Sequence, residues 1–425
     1  MSSPDSVVVA CDLGTTTIAA SLVEMGTGRR LAEVSGPNPQ RQFGADVVTR
    51  LDAALKSPVA LREMSSLVNR ALASYVAELL ATAGRRGEEL GGLAVAGNPS
   101  MEHLLLGLPV ESLAFPPYRP LFSQGRTVDA RELGWDLALP VHLFPLPGGF
   151  VGGDLVAFLY GRERAAPAGS EEEIRLFLDL GTNAEMALAI GGRIFATSAA
   201  AGPALEGGNL TCGMVAGKGA IQSCGIDADR VALEVIGGGA PLGICGSAVL
   251  DVVAELLRHG VVDATGRLLS PAEIPSNLAN RVEEQGGELV FVLFRGAQEL
   301  VYLSQSDIRQ VQLAKAAIRA GLEVLFQRAG LAGELPTEVV VTGSFGAVLR
   351  PDSLKMVGVF TENMVQNASF VREGALAGVE EAASVPGGYA RVDQLAANIR
   401  VIPLSGTPAF EKHFLEQMNF PGLKR

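Results

Sequence analysis

"FLDLGTNAEM", residues 177–186, is an apolar strand that ends in Asp179, passes through Gly181, Thr182 and Asn183, and opens a second strand. "VACDLGTTTI", residues 9–18, does the same with Asp12, Gly14, Thr15, Thr16 and Thr17. A single Asp-Leu-Gly-Thr after a strand is ordinary turn chemistry, because glycine and threonine both suit hairpins. Two copies, each opening a matched run of elements, point to a duplicated plan.

In the first run, "SVVVACDLG", "TTIAASLVEM" and "LAEVS" read as a three-strand meander, with "GTGRR" as its second turn. "SPVALREMSSLVNRALASYVAELLATAG" then predicts a helix with Ser57 as N-cap, Pro58 at the first helical position and Gly84 at the stop. Met64, Val68, Leu72 and Leu79 recur at helical spacing, so one face is expected to be buried. "LAVAGNPSM" reads as a short buried strand ending at Gly97-Asn98. After a proline-rich loop around 108–121, "VHLFPLPGGFVGGDLVAFLYG" reads as strand, glycine turn and helix, with Asp154 as the expected N-cap.

The second run repeats that order. "IRLFLDLGTNAEMALAIGGRIFATS" supplies three strands, and "SDIRQVQLAKAAIRAGLEVLFQRAG" supplies the long helix, with Asp307 and Gln310 as the expected capping box and Gly330 as the stop. "EVVVTGSFG" is the short strand with its glycine turn, and "QNASFVREGALAGVEEA" the last turn and helix. The expected fold is α/β, two duplicated lobes spanning 1–166 and 167–425, the second with insertions and a C-terminal extension.

Composition limits the function classes. A chain of 425 residues exceeds one ordinary core, in agreement with two lobes. No apolar run reaches the ~20 residues of a membrane helix, and "MSSPDS" lacks a basic segment followed by an apolar one, so a cytoplasmic chain with no membrane partner is expected. A formal charge of −12 without long charge runs argues against nucleic acid. Cys11, Cys212, Cys224 and Cys245 have neither CxxC spacing nor disulfide density.

The paired turns suggest phosphate chemistry. Gly14 and Gly181 admit close backbone approach, and the amides of Thr15, Thr16, Thr17, Thr182 and Asn183 can face an anion. Asp12 and Asp179 would repel phosphate unless a cation lay between, which implies Mg²⁺, an ion that keeps waters and needs only one or two carboxylates. Gly343, Ser344 and Gly346 would leave room for adenosine, and Lys315 lies on the long helix of the same lobe. Glu206 in "GPALEGGN" is a candidate to orient water or join the metal shell, with Glu185 as second choice. The catalytic set is thus Asp12, Asp179 and Glu206. Asn98 occupies the place in the first run that Ser344 has in the second.

This plan resembles the superfamily of acetate and sugar kinases, heat-shock chaperones and actin, whose two ribonuclease-H-like lobes hold ATP-Mg between them. Within it "FGADVVTRL", "GNPSMEHLLLGLPVESLAFPPY", "GGFVGGD", "AAGPALEGGNLTCGM", "GICGSAVLDVVAELL" and "DIRQVQLAKAAIRAG" resemble the ATP-dependent reductive activators of corrinoid proteins. The resemblance implies ATP-driven return of a cob(II)amide protein to cob(I)amide, a corrinoid protein as partner, and a homodimer. Full-length members carry a two-iron ferredoxin domain, whose C-x4-C-x2-C spacing is missing here. The expectation is therefore no iron-sulfur cluster on this chain and electrons from a separate ferredoxin-type donor. A cluster bridged by Cys212 and Cys224 between subunits, as in the related dehydratase activators, is set against the commoner buried structural thiol. A small-molecule kinase and a nucleotide-binding module without turnover are the other function classes the same lobes serve.

Overall fold

The computed structural model describes residues 6–165, 170, 172–297, 299–343 and 349–422. The boundary expected at 166/167, and the positions of Ser344 and Gly346, lie outside them. Strands β1 (Val7–Leu13), β2 (Thr17–Glu24) and β3 (Arg30–Pro37) form the first meander. They are followed by helix α1 (Pro58–Ala83), β4 (Leu90–Gly97), helix α2 (Pro99–Leu106), β5 (Arg126–Asp129), β6 (Pro140–Leu143) and helix α3 (Gly153–Ala165). The sheet order is β3-β2-β1-β4-β6-β5. β1 pairs antiparallel with β2 and parallel with β4, which puts the ends of β1 and β4 side by side.

Local chemistry explains α1. Ser57 accepts from the Ala60 amide at 3.2 Å, Pro58 sits where its missing N–H is harmless, and Gly84 closes the helix in the left-handed conformation. Its buried side chains include Met64, Val68, Leu72 and Leu79, packed into the core around Val9, Cys11, Leu13 and Leu93. Asp154 departs from expectation. The last helix begins one residue earlier, and Asp154 lies in its first turn, accepting from the Leu155 amide at 2.8 Å.

The second run gives β7 (Arg175–Leu180), β8 (Asn183–Ile190), β9 (Arg193–Ala200), helix α4 (Gln305–Ala329), β10 (Glu338–Gly343), β11 (Ala368–Phe370), helix α5 (Gly374–Ser384) and β12 (Ile399–Val401). Its sheet runs β11-β10-β7-β8-β9-β12. Read from the meander edge, β9-β8-β7-β10-β11 repeats β3-β2-β1-β4-β6. The register repeats too: Leu13 is opposite Gly97, and Leu180 is opposite Gly343. Two three-stranded sheets, at 220–244 and 282–304, and a buried helix Gly246–Arg258 are the insertions.

The capping box of α4 lies one turn earlier than expected. Ser304, not Asp307, is the N-cap, and Asp307 is the residue that reaches back, its Oδ2 accepting from the Ser304 amide at 2.9 Å. Serine and aspartate both suit an N-cap, and the strand ending at Ser304 decides between them. Gly330 ends the helix in the left-handed conformation, as expected.

The chain forms two compact units: Met1–Glu173 with Ala189–Thr197 and Glu373–Ile402, and Ile174–Leu188 with Ser198–Arg372 and Pro403–Arg425. Helix α5 thus belongs with the first unit, against α3. A Cβ on Gly378 would lie 1.8 Å from the Ala157 carbonyl oxygen and one on Gly161 3.0 Å from the Gly378 Cα, so these helices meet backbone to backbone. Among the described residues, no helix is long and apolar enough to cross a membrane.

Candidate functional site

In the first unit the turn between β1 and β2 is held from three sides. A Cβ on Gly14 would fall 2.5 Å from the Thr17 carbonyl oxygen, so the tight turn accepts only glycine there. Thr15 is buried, and its hydroxyl accepts from the Asn98 amide nitrogen at 2.9 Å. Asn38, fully buried, donates from Nδ2 to the Gly14 carbonyl at 2.9 Å, and its backbone N–H donates to the Thr16 carbonyl at 2.8 Å. Asp12 is half-buried at the end of β1, and Thr17, the first residue of β2, is exposed.

Asn98 has two tasks. As N-cap of α2 its Oδ1 accepts from the Met101 amide at 3.1 Å while its Nδ2 holds Thr15. Beside it, Gly152 packs so closely that a Cβ would lie 2.4 Å from the Gly97 carbonyl oxygen. Glu102, fully buried, accepts from the Gly97 amide at 3.2 Å. Burial pushes the Glu102 carboxyl well above the usual range, and the neighbouring Asp154 charge adds to this. Burial also pushes Asp154 up to about 6, within reach of neutral proton transfer.

The second unit builds a like turn with a different brace. Thr182, buried, donates its hydroxyl proton to Glu206 Oε2 at 2.6 Å, and a Cβ on Gly181 would stand 3.1 Å from Glu206 Oε1. Glu206 sits in a short 3-10 turn, Pro203–Glu206, between Gly202 and Gly207, both at positive φ. The Gly202 amide returns to the Thr182 carbonyl at 2.9 Å, so this turn and the hairpin are one assembly. Glu185, buried on β8, accepts from the Ser198 hydroxyl at 3.1 Å. Asp179, the penultimate residue of β7, is half-buried, with Thr342 opposite it on β10. Gly343, at φ +120°, has no room for a side chain, since a Cβ would meet the Leu180 carbonyl oxygen at 2.1 Å. Asn183 is half-buried at the start of β8.

Lys315 has another employment than the nucleotide contact expected for it. It is buried on α4, and its ammonium donates to the carbonyls of Gln417 and Asn419 in the C-terminal segment. Burial, aided by the Arg319 charge, lowers it to about 8. Cys224 is buried with its thiol pushed up to about 12 by burial first and the Asp251 and Glu255 charges next, which suits a structural thiol. Among the described residues, no three His, Cys, Asp or Glu side chains gather into a metal cluster.

Residues 173–425 match the C-terminal domain of RACo, the ASKHA domain, and residues 7–163 match the RACo middle region. The chain belongs to the RACo family. The corrinoid activation enzyme RamQ of Eubacterium limosum is 32% identical over 364 residues, covering 83% of this chain and 60% of that protein. The Co(II) methylated amine-specific corrinoid protein reductase of Methanosarcina barkeri is 25% identical over 388 residues, covering 82% of this chain and 65% of that protein. The chain therefore spans less than two thirds of the length of these curated relatives. A solved structure of a reductive activator for corrinoid, iron-sulfur protein superposes with a TM-score of 0.87 at 29% identity, over 99% of this chain and 67% of that one. The fold is that of an ASKHA protein, two ribonuclease-H-like α/β lobes.

Sequence reasoning missed Asn38, Glu102 and Ser198. Asn38 carried a signal, because "PNP" after a strand marks a turn whose asparagine can bond local backbone. Glu102 carried none, since a glutamate in a helical run ordinarily reads as solvated.

Proposed function

We propose that this chain is an ATP-hydrolysing activator that couples ATP to the reductive reactivation of a corrinoid protein, from cob(II)amide to cob(I)amide. The observation that carries the reading is the pair of like Asp-Leu-Gly-Thr turns on the equivalent strand of two equally ordered sheets, in a member of the RACo family. Both turns suit triphosphate and Mg²⁺. Glycine at 14 and 181 lets each turn close tightly on its own backbone and brace, and Asp12 and Asp179 are half-buried carboxylates at the mouths of the turns. Bound Mg²⁺ would neutralise phosphate charge and orient the terminal phosphoryl group.

The chain's own residues divide the remaining work. Thr182 fixes Glu206 by its short hydrogen bond, so that one carboxylate oxygen is positioned and the residue can accept a proton from, or align, an attacking water. Asn98 and Asn38 hold Thr15 and Gly14 in place, so that the first turn does not reorganise when phosphate binds. Gly343 lets the end of β10 close against the Leu180 carbonyl beside the second turn, whereas Lys315 is assigned to the C-terminal segment rather than to phosphate. Coupling requires a partner with different affinity for the nucleotide states of the activator.

The relatives' names support a corrinoid protein as that partner; a separate ferredoxin-type electron donor and a dimeric assembly complete the proposal. The test is phosphate release from Mg-ATP with and without a methylated-amine corrinoid protein in the Co(II) state. Stimulation by that protein is expected. Transfer of the γ-phosphate to a metabolite would speak for a kinase, and tight ATP binding without phosphate release for a module without turnover.

A further inference from the structure

Three large apolar side chains on two loops of the first unit are exposed: Phe115 by 58%, Leu121 by 53% and Phe150 by 39%. They lie on two loops locked to one another. The Tyr118 and Phe150 rings meet at 4.9 Å, and a Cβ on Gly149 would lie 1.9 Å from the Tyr118 carbonyl oxygen. Tyr118 itself is at φ +53°, and its N–H closes a turn to the Phe115 carbonyl at 2.9 Å. The result is a built apolar ridge, whose shape a partner would not have to induce. Exposed apolar side chains held on interlocked loops in this way mark an interaction site.

Its connection to the nucleotide turn singles it out among the exposed apolar residues. The Leu121 amide donates to His103 Nε2 at 3.0 Å, and the Phe122 ring stacks on the His103 ring at 5.6 Å. His103 lies on α2, whose N-cap, Asn98, holds the Thr15 hydroxyl. One short helix therefore joins the ridge to the candidate phosphate turn.

Charge decides the occupant. Arg119 and Arg126 are exposed on the same segment, in a chain of net charge −12, and Arg126 stands over the Phe122 ring at 5.4 Å. A second copy bound symmetrically through this ridge would bring a second set of the same arginines to the contact, because a two-fold interface uses the same patch on both copies. A partner with an apolar centre and an acidic rim brings the opposite charge instead.

Resting on the function proposed above, we infer that the ridge of Phe115, Tyr118, Leu121 and Phe150, flanked by Arg119 and Arg126, is the docking surface for the corrinoid protein, through an acid-rimmed apolar patch on that protein. Docking there bears on α2, and so on the turn that holds Thr15.

The test measures binding of a methylated-amine corrinoid protein, in the Co(II) state, to wild type and to the double variants Phe115→Ser/Leu121→Ser and Arg119→Glu/Arg126→Glu. Each double variant is expected to bind about tenfold more weakly or worse, while retaining the wild-type rate of ATP hydrolysis without partner. The arginine variant's deficit should shrink at high salt, as that of rim charges does. Wild-type binding with both variants equal to it would overturn the ridge assignment and leave the function standing. No binding by wild type would overturn the function and the ridge with it. Sedimentation supplies a separate arm: a dimer of wild type that the Phe115→Ser/Leu121→Ser variant turns into monomer would assign the ridge to a second copy and overturn the proposal.

Discussion

Asn38→Ala isolates what the first turn does. The asparagine is fully buried, donates to the Gly14 carbonyl at 2.9 Å and accepts from the Gln40 amide at 2.9 Å. Removing two such bonds, at about 1 kcal/mol each plus the desolvation of what they leave behind, costs about 2 to 4 kcal/mol. At about 2 to 4 °C per kcal/mol, the melting transition of the first unit should fall by roughly 4 to 16 °C. The functional expectation is separate. If the Gly14 to Thr16 backbone holds phosphate, loosening it should weaken Mg-ATP about tenfold, or about 1.4 kcal/mol. Calorimetry with and without Mg-ATP reads both effects. At a concentration a hundred times the wild-type Kd the nucleotide adds about 2.7 kcal/mol to wild type, and about half that to the variant. Asn69→Ala is the control, because Asn69 is also buried in this unit but bonds the Leu105 carbonyl and the Trp135 indole. It should lose stability and keep the full Mg-ATP shift. An Asn38→Ala protein that is destabilised yet shows the full shift would refute the phosphate role of the turn.

Other perturbations separate strain, catalysis and titration. Gly343→Ala forces a Cβ to 2.1 Å from the Leu180 carbonyl oxygen at φ +120°, and should cost about 3 kcal/mol or more in urea unfolding, against about 1 kcal/mol for Gly330→Ala, which meets nothing within 4 Å. Glu206→Gln preserves an acceptor for Thr182 and removes the base, so steady-state phosphate release should fall about 100-fold or more in kcat with little change in KM. His142, buried and stacked on Tyr389 at 3.7 Å, is lowered to about 4 by burial, the Asp393 charge opposing. Its folded pKa lies below the unfolded value, so the stability it contributes is present above the unfolded pKa and is lost as pH falls towards 4, by about 1.4 kcal/mol per unit. Asp154 and Glu102, raised by burial, drive stability the opposite way, so the measurement is wild type against His142→Phe between pH 4 and 6.5, where the variant should lose less on acidification.

The duplicated plan was legible because it rests on local chemistry. Ser57 and Gly84 delimit a helix by rules that hold without tertiary context, and apolar strands broken by glycine turns read the same in both halves. What stayed hidden depends on packing at long range. Nothing around Lys315 in the sequence indicates that carbonyls a hundred residues on will take its ammonium, and no local pattern sends helix α5 to Ala157. The same division runs through the site. Gly14, Thr15, Gly181 and Thr182 are readable because turns demand particular residues, and Glu206 from its glycine-flanked turn, whereas the bracing itself, Gly14 by Asn38 in one unit and Thr182 by Glu206 in the other, comes from unlike places in the two runs. Duplication kept the turns alike while the braces diverged: an amide holds the first, and a carboxylate the second. A carboxylate can take a proton and an amide cannot. That difference makes the second turn the candidate for the chemical step and the first the candidate for sensing whether phosphate is bound, so Glu206→Gln should stop turnover at unchanged Mg-ATP affinity while Asn38→Ala weakens the affinity itself.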